Sequence, residues 1–135
     1  MSMKEAVTKV FNNYANFKGR ARRSEYWYFV LFNMIVSGVL FAVMSACREE
    51  SFLYRVAYGL DGLYGIAVFV PGLAVAWRRL HDIGKSGGNY FWVLVPIVGP
   101  ILLLVWLARD GDRGDNAYGS DPKEEYRGTY YQNYE

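Results

Sequence analysis

The chain has 135 residues, 15 Lys and Arg, 13 Asp and Glu, a formal charge of +2 and 53% hydrophobic residues. That length fits one domain, the composition excludes a disordered tail, and so small a net charge leaves no footprint for nucleic acid. One cysteine, Cys47, excludes an internal disulfide framework and a Cys-cluster zinc site, and it reads as a small packing residue near a helix end.

Residues 1–18 open the chain with Met3, Val7, Val10, Phe11, Tyr14 and Phe17 at spacings of three and four, and with Lys4, Glu5, Lys9, Asn12 and Asn13 on the other face. Ser2 with Glu5 fits a capping box. The pattern predicts an amphipathic helix at a membrane interface, its apolar stripe against lipid or against the protein's own helices.

From Tyr26 to Cys47 there are 22 residues without a charged side chain. As a helix this run spans about 33 Å, enough to cross a bilayer core of about 30 Å. It starts too late and runs too long for a cleavable signal peptide, so it reads as a permanent span. A second span is predicted over 56–77, with Asp61 as its one acid. An intramembrane carboxylate is a candidate functional group, the alternative being a helix that starts just after it and leaves it in headgroup water. Residues 78–89 read as a polar loop, and 90–108 as a third apolar segment broken at Pro96–Pro100. This segment is either a kinked span or a helical hairpin that enters and leaves on one side. The tail, 109–135, has no period and reads as an irregular loop with a disordered end. Tyr and Trp residues near the span ends fit an aromatic belt.

The placement of Lys and Arg puts the N-terminus and the 78–89 loop in the cytoplasm, and 48–55 outside. A hairpin keeps 13 of the 15 Lys and Arg inside, whereas a full third span keeps 9, so the hairpin with a cytoplasmic C-terminus is preferred. The fold class is an all-α integral membrane protein: an interfacial helix, two transmembrane helices, a broken third apolar segment and an irregular tail.

Several chemical motifs fail on spacing. Gly84-Lys85-Ser86 lacks the glycine five positions earlier that a phosphate-binding loop requires. The run from Asp110 to Asp121 resembles a calcium loop in length, but positions five and six are Gly114 and Asp115 where an oxygen ligand and then a glycine belong. His81 is the only histidine, which leaves no His base and nucleophile pair and no multi-His metal site. Neither a cofactor nor a metal is expected. What remains is Arg20, Arg22 and Arg23 before the first span, Arg78 and Arg79 after the second, and Glu25, Asp82 and Asp121 nearby. These groups read as topology determinants on anionic lipid headgroups, as an Arg–carboxylate network locking helix ends, or as an anion site.

Four co-linear motifs resemble the bacterial inner-membrane family catalogued as domain of unknown function 805. They are residues 17–27 (FKGRARRSEYW), Arg78-Arg79-Leu80-His81-Asp82 with Gly84-Lys85-Ser86-Gly87, Pro96-Ile97-Val98-Gly99, and 114–122 (GDNAYGSDP). One departure is Gly88-Asn89-Tyr90, where the family carries tryptophans. The resemblance implies a small multi-pass inner-membrane protein and no reaction. It adds weight to Arg20, Arg22, Arg23, Glu25, Arg78, Arg79, His81, Asp82, Asn116, Gly119 and Asp121 as one polar cluster at the cytoplasmic face, with the tail folded back onto the arginines. The expected function is a non-enzymatic scaffold, sensor or partner-binding protein. Its expected contacts are the lipid bilayer, anionic headgroups, and a second copy or another membrane protein. The alternatives are an oligomeric channel or transporter using Asp61, and a lipid-modifying enzyme using His81 and Asp82.

Overall fold

The computed structural model describes residues 2–123, which are helical apart from turns and one isolated bridge between Asn116 and Gly119. The elements are α1 (Met3–Asn12), α2 (Arg23–Ala46), α3 (Phe52–Asp82), a 3-10 helix (Gly87–Leu94) and α4 (Val98–Ala108). Two of these, α2 and α3, are long and apolar enough to cross a membrane. The expectation of a disordered chain end falls on 124–135, outside the described residues.

The first helix is shorter than the 1–18 expected. Ser2 starts it by accepting the Glu5 N–H at 3.2 Å. Asn13 ends it, its side-chain amide donating to the Lys9 carbonyl at 2.9 Å. The asparagine offers the backbone a competing local hydrogen bond, which stops the helix before Phe17. Ala6 and Val10 are buried, and Val10 packs with Ala21, Phe29 and Val75. The stripe therefore faces the protein's own helices.

The second long helix carries a proline, Pro71, in its interior. Proline has no N–H, so the carbonyl four residues earlier loses its helical partner. That carbonyl belongs to Ala67, and the Tyr14 hydroxyl donates to it at 2.6 Å. The segment after α1 thus repairs the break that Pro71 makes in α3.

A larger difference lies at the end of α3. Residues 78–82, expected in a loop, form the last turns of the helix. The stop comes at Gly84, where φ is +75°. The Lys85 N–H donates to the Leu80 carbonyl and the Gly84 N–H to the His81 carbonyl, both at 3.0 Å. This is a Schellman ending built on a left-handed glycine. Gly84-Lys85-Ser86 is a helix stop.

The third apolar segment folds as a hairpin. The 3-10 helix follows directly on α3, with Gly87 packed on the Trp77 indole where a Cβ would lie 1.9 Å from the ring. At the tip, Ile97 has φ +67°, and Gly99 allows the Trp92 carbonyl to approach where a Cβ would sit 1.5 Å away. The α4 helix then returns to the same end of α3, where the Trp27 indole N–H donates to the Leu107 carbonyl at 3.0 Å. The hairpin has this form because Pro96 holds Val95 extended and Pro100 is admitted only in the first turn of a new helix.

Along α2 and α3 many large apolar side chains are exposed, among them Phe41 at 69% and Ile66 at 75%. On α3 the buried residues concentrate between Pro71 and Asp82. The densest packing sits at one end of the helix pair.

Candidate functional site

The site grows from helix ends. A helix leaves its last carbonyls without intrahelical donors, and they need partners wherever water is excluded. Here the ends of α3 and α4 meet, and two arginines supply the donors.

Arg79 is fully buried in the last turns of α3. Its Nε donates to the Leu107 carbonyl at 3.1 Å, its Nη1 to Asp82 Oδ2 at 2.6 Å, and its Nη2 to the Arg109 carbonyl. Arg20 precedes α2 and is also buried. Its Nε donates to Asp82 Oδ1 at 3.0 Å, Nη1 to the Gly114 carbonyl at 2.6 Å, and Nη2 to the Asp112 carbonyl at 2.5 Å. A longer contact from Nη1 reaches the Gly119 carbonyl at 3.3 Å. Asp82 stands between the two guanidiniums, one oxygen on each, and the Asp112 N–H donates to its backbone carbonyl at 2.7 Å. Two cations share one carboxylate, and backbone carbonyls take the remaining donors. The guanidinium fork suits this task because its five N–H groups lie in one plane at fixed angles.

The tail is shaped around Arg20. Asp121 is buried, and its Oδ2 accepts the Gly114 N–H at 2.9 Å. Asn116 and Gly119 exchange backbone hydrogen bonds of 3.0 and 3.2 Å. The Asn116 amide donates to the His81 carbonyl at 2.9 Å, adding to the Gly84 N–H that this carbonyl already accepts at the end of α3. The loop that resembles a calcium site in length does turn carbonyls inward, and the cation they hold is Arg20.

His81 lies beyond the apolar stretch 56–77, at this polar end. Its Nδ1 sits 2.9 Å from the Gly19 carbonyl, a contact that requires the proton on Nδ1. Its ring lies flat on Tyr118, with centroids 4.1 Å apart and planes within 1°. Burial lowers the imidazole pKa from its ordinary value, opposed by the hydrogen bond to Gly19.

The structure brings together Arg20, Arg79, His81, Asp82, Asn116, Gly119 and Asp121 out of the residues expected in the cluster. Arg78 and Glu25 instead form their own buried pair at 2.7 Å, joining α3 to α2 next to α1, with Lys9 at 3.9 Å from the other Glu25 oxygen. Arg22 is half-buried at the start of α2. Arg23 reaches the α4 end, 3.4 Å from the Ala108 carbonyl and 3.7 Å from Asp110. Asp61 is elsewhere: it lines a cleft with Cys47 and Glu49, about 27 Å along α3 from Arg79. Among the described residues no group of three or more His, Cys, Asp or Glu is placed to hold a metal.

Four contributors were not singled out from the sequence. Gly111 lets the Asp82 carboxylate lie where a Cβ would come within 2.0 Å of it. Asp112 supplies a carbonyl and an N–H, Tyr118 covers His81, and Trp27 ties α2 to α4. A glycine three residues past the last apolar position of α4 was the available signal for Gly111. Trp27 was read as a belt residue, and its indole N–H instead caps a carbonyl.

The family model for a protein of unknown function, DUF805, matches residues 14–120, which include every residue of this cluster except Asp121. The chain belongs to the DUF805 family. Among its relatives, inner membrane protein YhaI of Escherichia coli K12 is 43% identical over 114 residues, covering 84% of this chain and 92% of the relative. Inner membrane protein YhaH of the same organism is 40% identical over 120 residues, covering 87% and 95%. The uncharacterized protein YiiR is 28% identical over 134 residues, covering 81% of this chain and 87% of the relative. No solved structure matches this member of DUF805.

Proposed function

We propose that this DUF805 protein is a multi-pass inner-membrane protein that presents a clamped cytoplasmic tail to a partner, and that it acts as a scaffold or sensor without catalysis of its own. Two spans, α2 and α3, cross the bilayer, and the 87–108 hairpin enters and leaves from the cytoplasmic side. The N-terminal segment and the tail lie on that same side, in keeping with the excess of Lys and Arg there. The relatives named as inner membrane proteins support the location.

One observation carries this reading: Arg20 holds the carbonyls of Asp112 and Gly114 while Arg79 holds those of Leu107 and Arg109. The tail can be held by residues flanking α2 and ending α3 only if it lies on their side of the membrane. The same bonds weigh against acid–base chemistry. Both Asp82 oxygens are engaged by guanidiniums and the His81 ring is covered by Tyr118, so neither is presented to a substrate. Crosslinking in native membranes, followed by identification of the crosslinked protein, tests the reading. The expected result is a partner joined to probes placed on the exposed rim of the tail, such as Asp115. Crosslinks confined to probes on the lipid-facing sides of α2 and α3 would overturn it and favour an oligomeric channel.

A further inference from the structure

We propose that the groove between the outer face of α2 and the end of α4 is a binding site for a phospholipid, with the phosphate at Arg23 and Ser24 and an acyl chain along Trp27, Tyr28 and Leu31. The inference rests on the membrane reading above and adds a specific ligand to it.

The groove is open, has a volume of about 450 Å³, and is lined by α2 and by Ala108 at the end of α4. Its lining follows one face of a helix, at positions i, i+1, i+4, i+5 and i+8 from Arg23. From Arg23 to Leu31 is about 12 Å along the axis, the distance from a headgroup into the acyl region. Chemistry changes in the same direction. The polar end carries a guanidinium and a hydroxyl, the middle an indole and a phenol, and the far end an aliphatic side chain. That gradient is the gradient of a phospholipid.

Four further observations favour the phosphate end. The Arg23 side chain is 43% exposed, and its two contacts, to the Ala108 carbonyl at 3.4 Å and to Asp110 at 3.7 Å, are long for charge-assisted bonds. Asp110 already holds Lys123 at 2.9 Å, which offsets the carboxylate's claim on Arg23. The start of α2 has no side-chain cap, and the positive end of a helix dipole favours an anion there. Arg22 adds a second guanidinium at the same helix start. In the middle of the groove Trp27 is fixed by its bond to the Leu107 carbonyl, so its wall is preformed. Basic pockets beside transmembrane helices are the general setting for anionic headgroups. Phosphatidylglycerol, with one net negative charge on its phosphate, matches the exposed Arg23 guanidinium at the polar end of the groove.

The test is native mass spectrometry of the full chain in detergent, titrated separately with phosphatidylglycerol, phosphatidylethanolamine and glycerol phosphate. Phosphatidylglycerol should be retained most strongly, and glycerol phosphate should not be retained at equal concentration. Arg23→Gln should weaken phosphatidylglycerol binding about tenfold, the effect of one lost charge-assisted contact. Leu31→Gln should weaken it less, by about threefold, through the acyl end. Lys4→Gln, which removes an equal charge on α1, should leave it unchanged. Equal losses in Arg23→Gln and Lys4→Gln would reduce the effect to net charge and overturn the site. Retention of glycerol phosphate as strong as that of the lipid would overturn the acyl half. If Arg23→Gln does not yield folded protein, Arg23→Lys serves: it keeps the charge and should keep most of the binding, and a loss of about tenfold would overturn the placement of the phosphate on the Arg23 charge. None of these readouts depends on the protein having a partner, so their failure is separable from failure of the scaffold reading.

Discussion

The two ends of α3 are held by different physics. Around Pro71 and above, toward Phe52, neighbouring helices meet through small side chains such as Ala57, and the large apolar residues face outward. Below Ala74 the helix becomes the centre of the molecule, with Arg78, Arg79, His81 and Asp82 buried, Arg78 paired with Glu25, and the other three bonded to backbone atoms before α2 and at or after the end of α4. In the apolar body the backbone satisfies itself inside each helix apart from the Ala67 carbonyl, and large apolar side chains are left exposed. At the polar end two helices, α3 and α4, stop together, and each stop exposes carbonyls that something must bond. Charged residues are buried there because they carry the donors, and the contrast shows that the fixed part of this fold is where its helices end.

The most severe way to break that contrast is Asp82→Ala. It leaves two buried guanidiniums without a carboxylate, and such a loss costs about 3–5 kcal/mol. Thermal unfolding in detergent should show a large fall, with faster proteolysis within 109–121. An unchanged transition would mean that the polar end does not hold the fold. Gly84→Ala tests the helix stop rather than the charges. It forces a side chain into a left-handed conformation and brings a Cβ to 2.7 Å from Asp112 Oδ2, for a loss of about 1–2 kcal/mol. A neutral result in the same melting measurement would show that the ending of α3 adapts. The smallest expected effect lies in the apolar body. Tyr14→Phe removes the donor to Ala67 and should cost about 1 kcal/mol, restored in Pro71→Ala, where the helix supplies its own N–H. If Tyr14→Phe were as damaging as Asp82→Ala, the division between the two regions would fail.

Much of the architecture is legible in the order of residues. A charge-free run of 22 residues marks α2, a shorter one after Asp61 marks α3, and Pro96 to Pro100 marks a break that a helix cannot cross. The grouping of Arg20, Arg79, Asp82, Asn116 and Asp121 was also accessible, through the resemblance of the motifs that carry them to a known family. Less accessible was the partition of the arginines. Arg78 and Arg79 are adjacent in the chain, yet one pairs with Glu25 beside α1 and the other with Asp82 at the end of α4. Successive helical residues point about 100° apart, so neighbours in sequence enter different surroundings. The extension of α3 through Asp82 was missed because a charged stretch after an apolar run looks like a loop when nothing is known to cover it.

The sequence alone therefore determined which segments are apolar enough for a bilayer, where their helices must break, and that acids and arginines accumulate at their boundaries. Those are properties of single residues and their local spacing. Only the tertiary structure decided that the 87–108 segment returns to the end of α3, that Arg20 rather than a metal fills the carbonyl ring of the tail, and that Asp82 serves two arginines at once. Each of these is a contact between positions dozens of residues apart, set by which helix ends meet and which carbonyls are then left to be bonded.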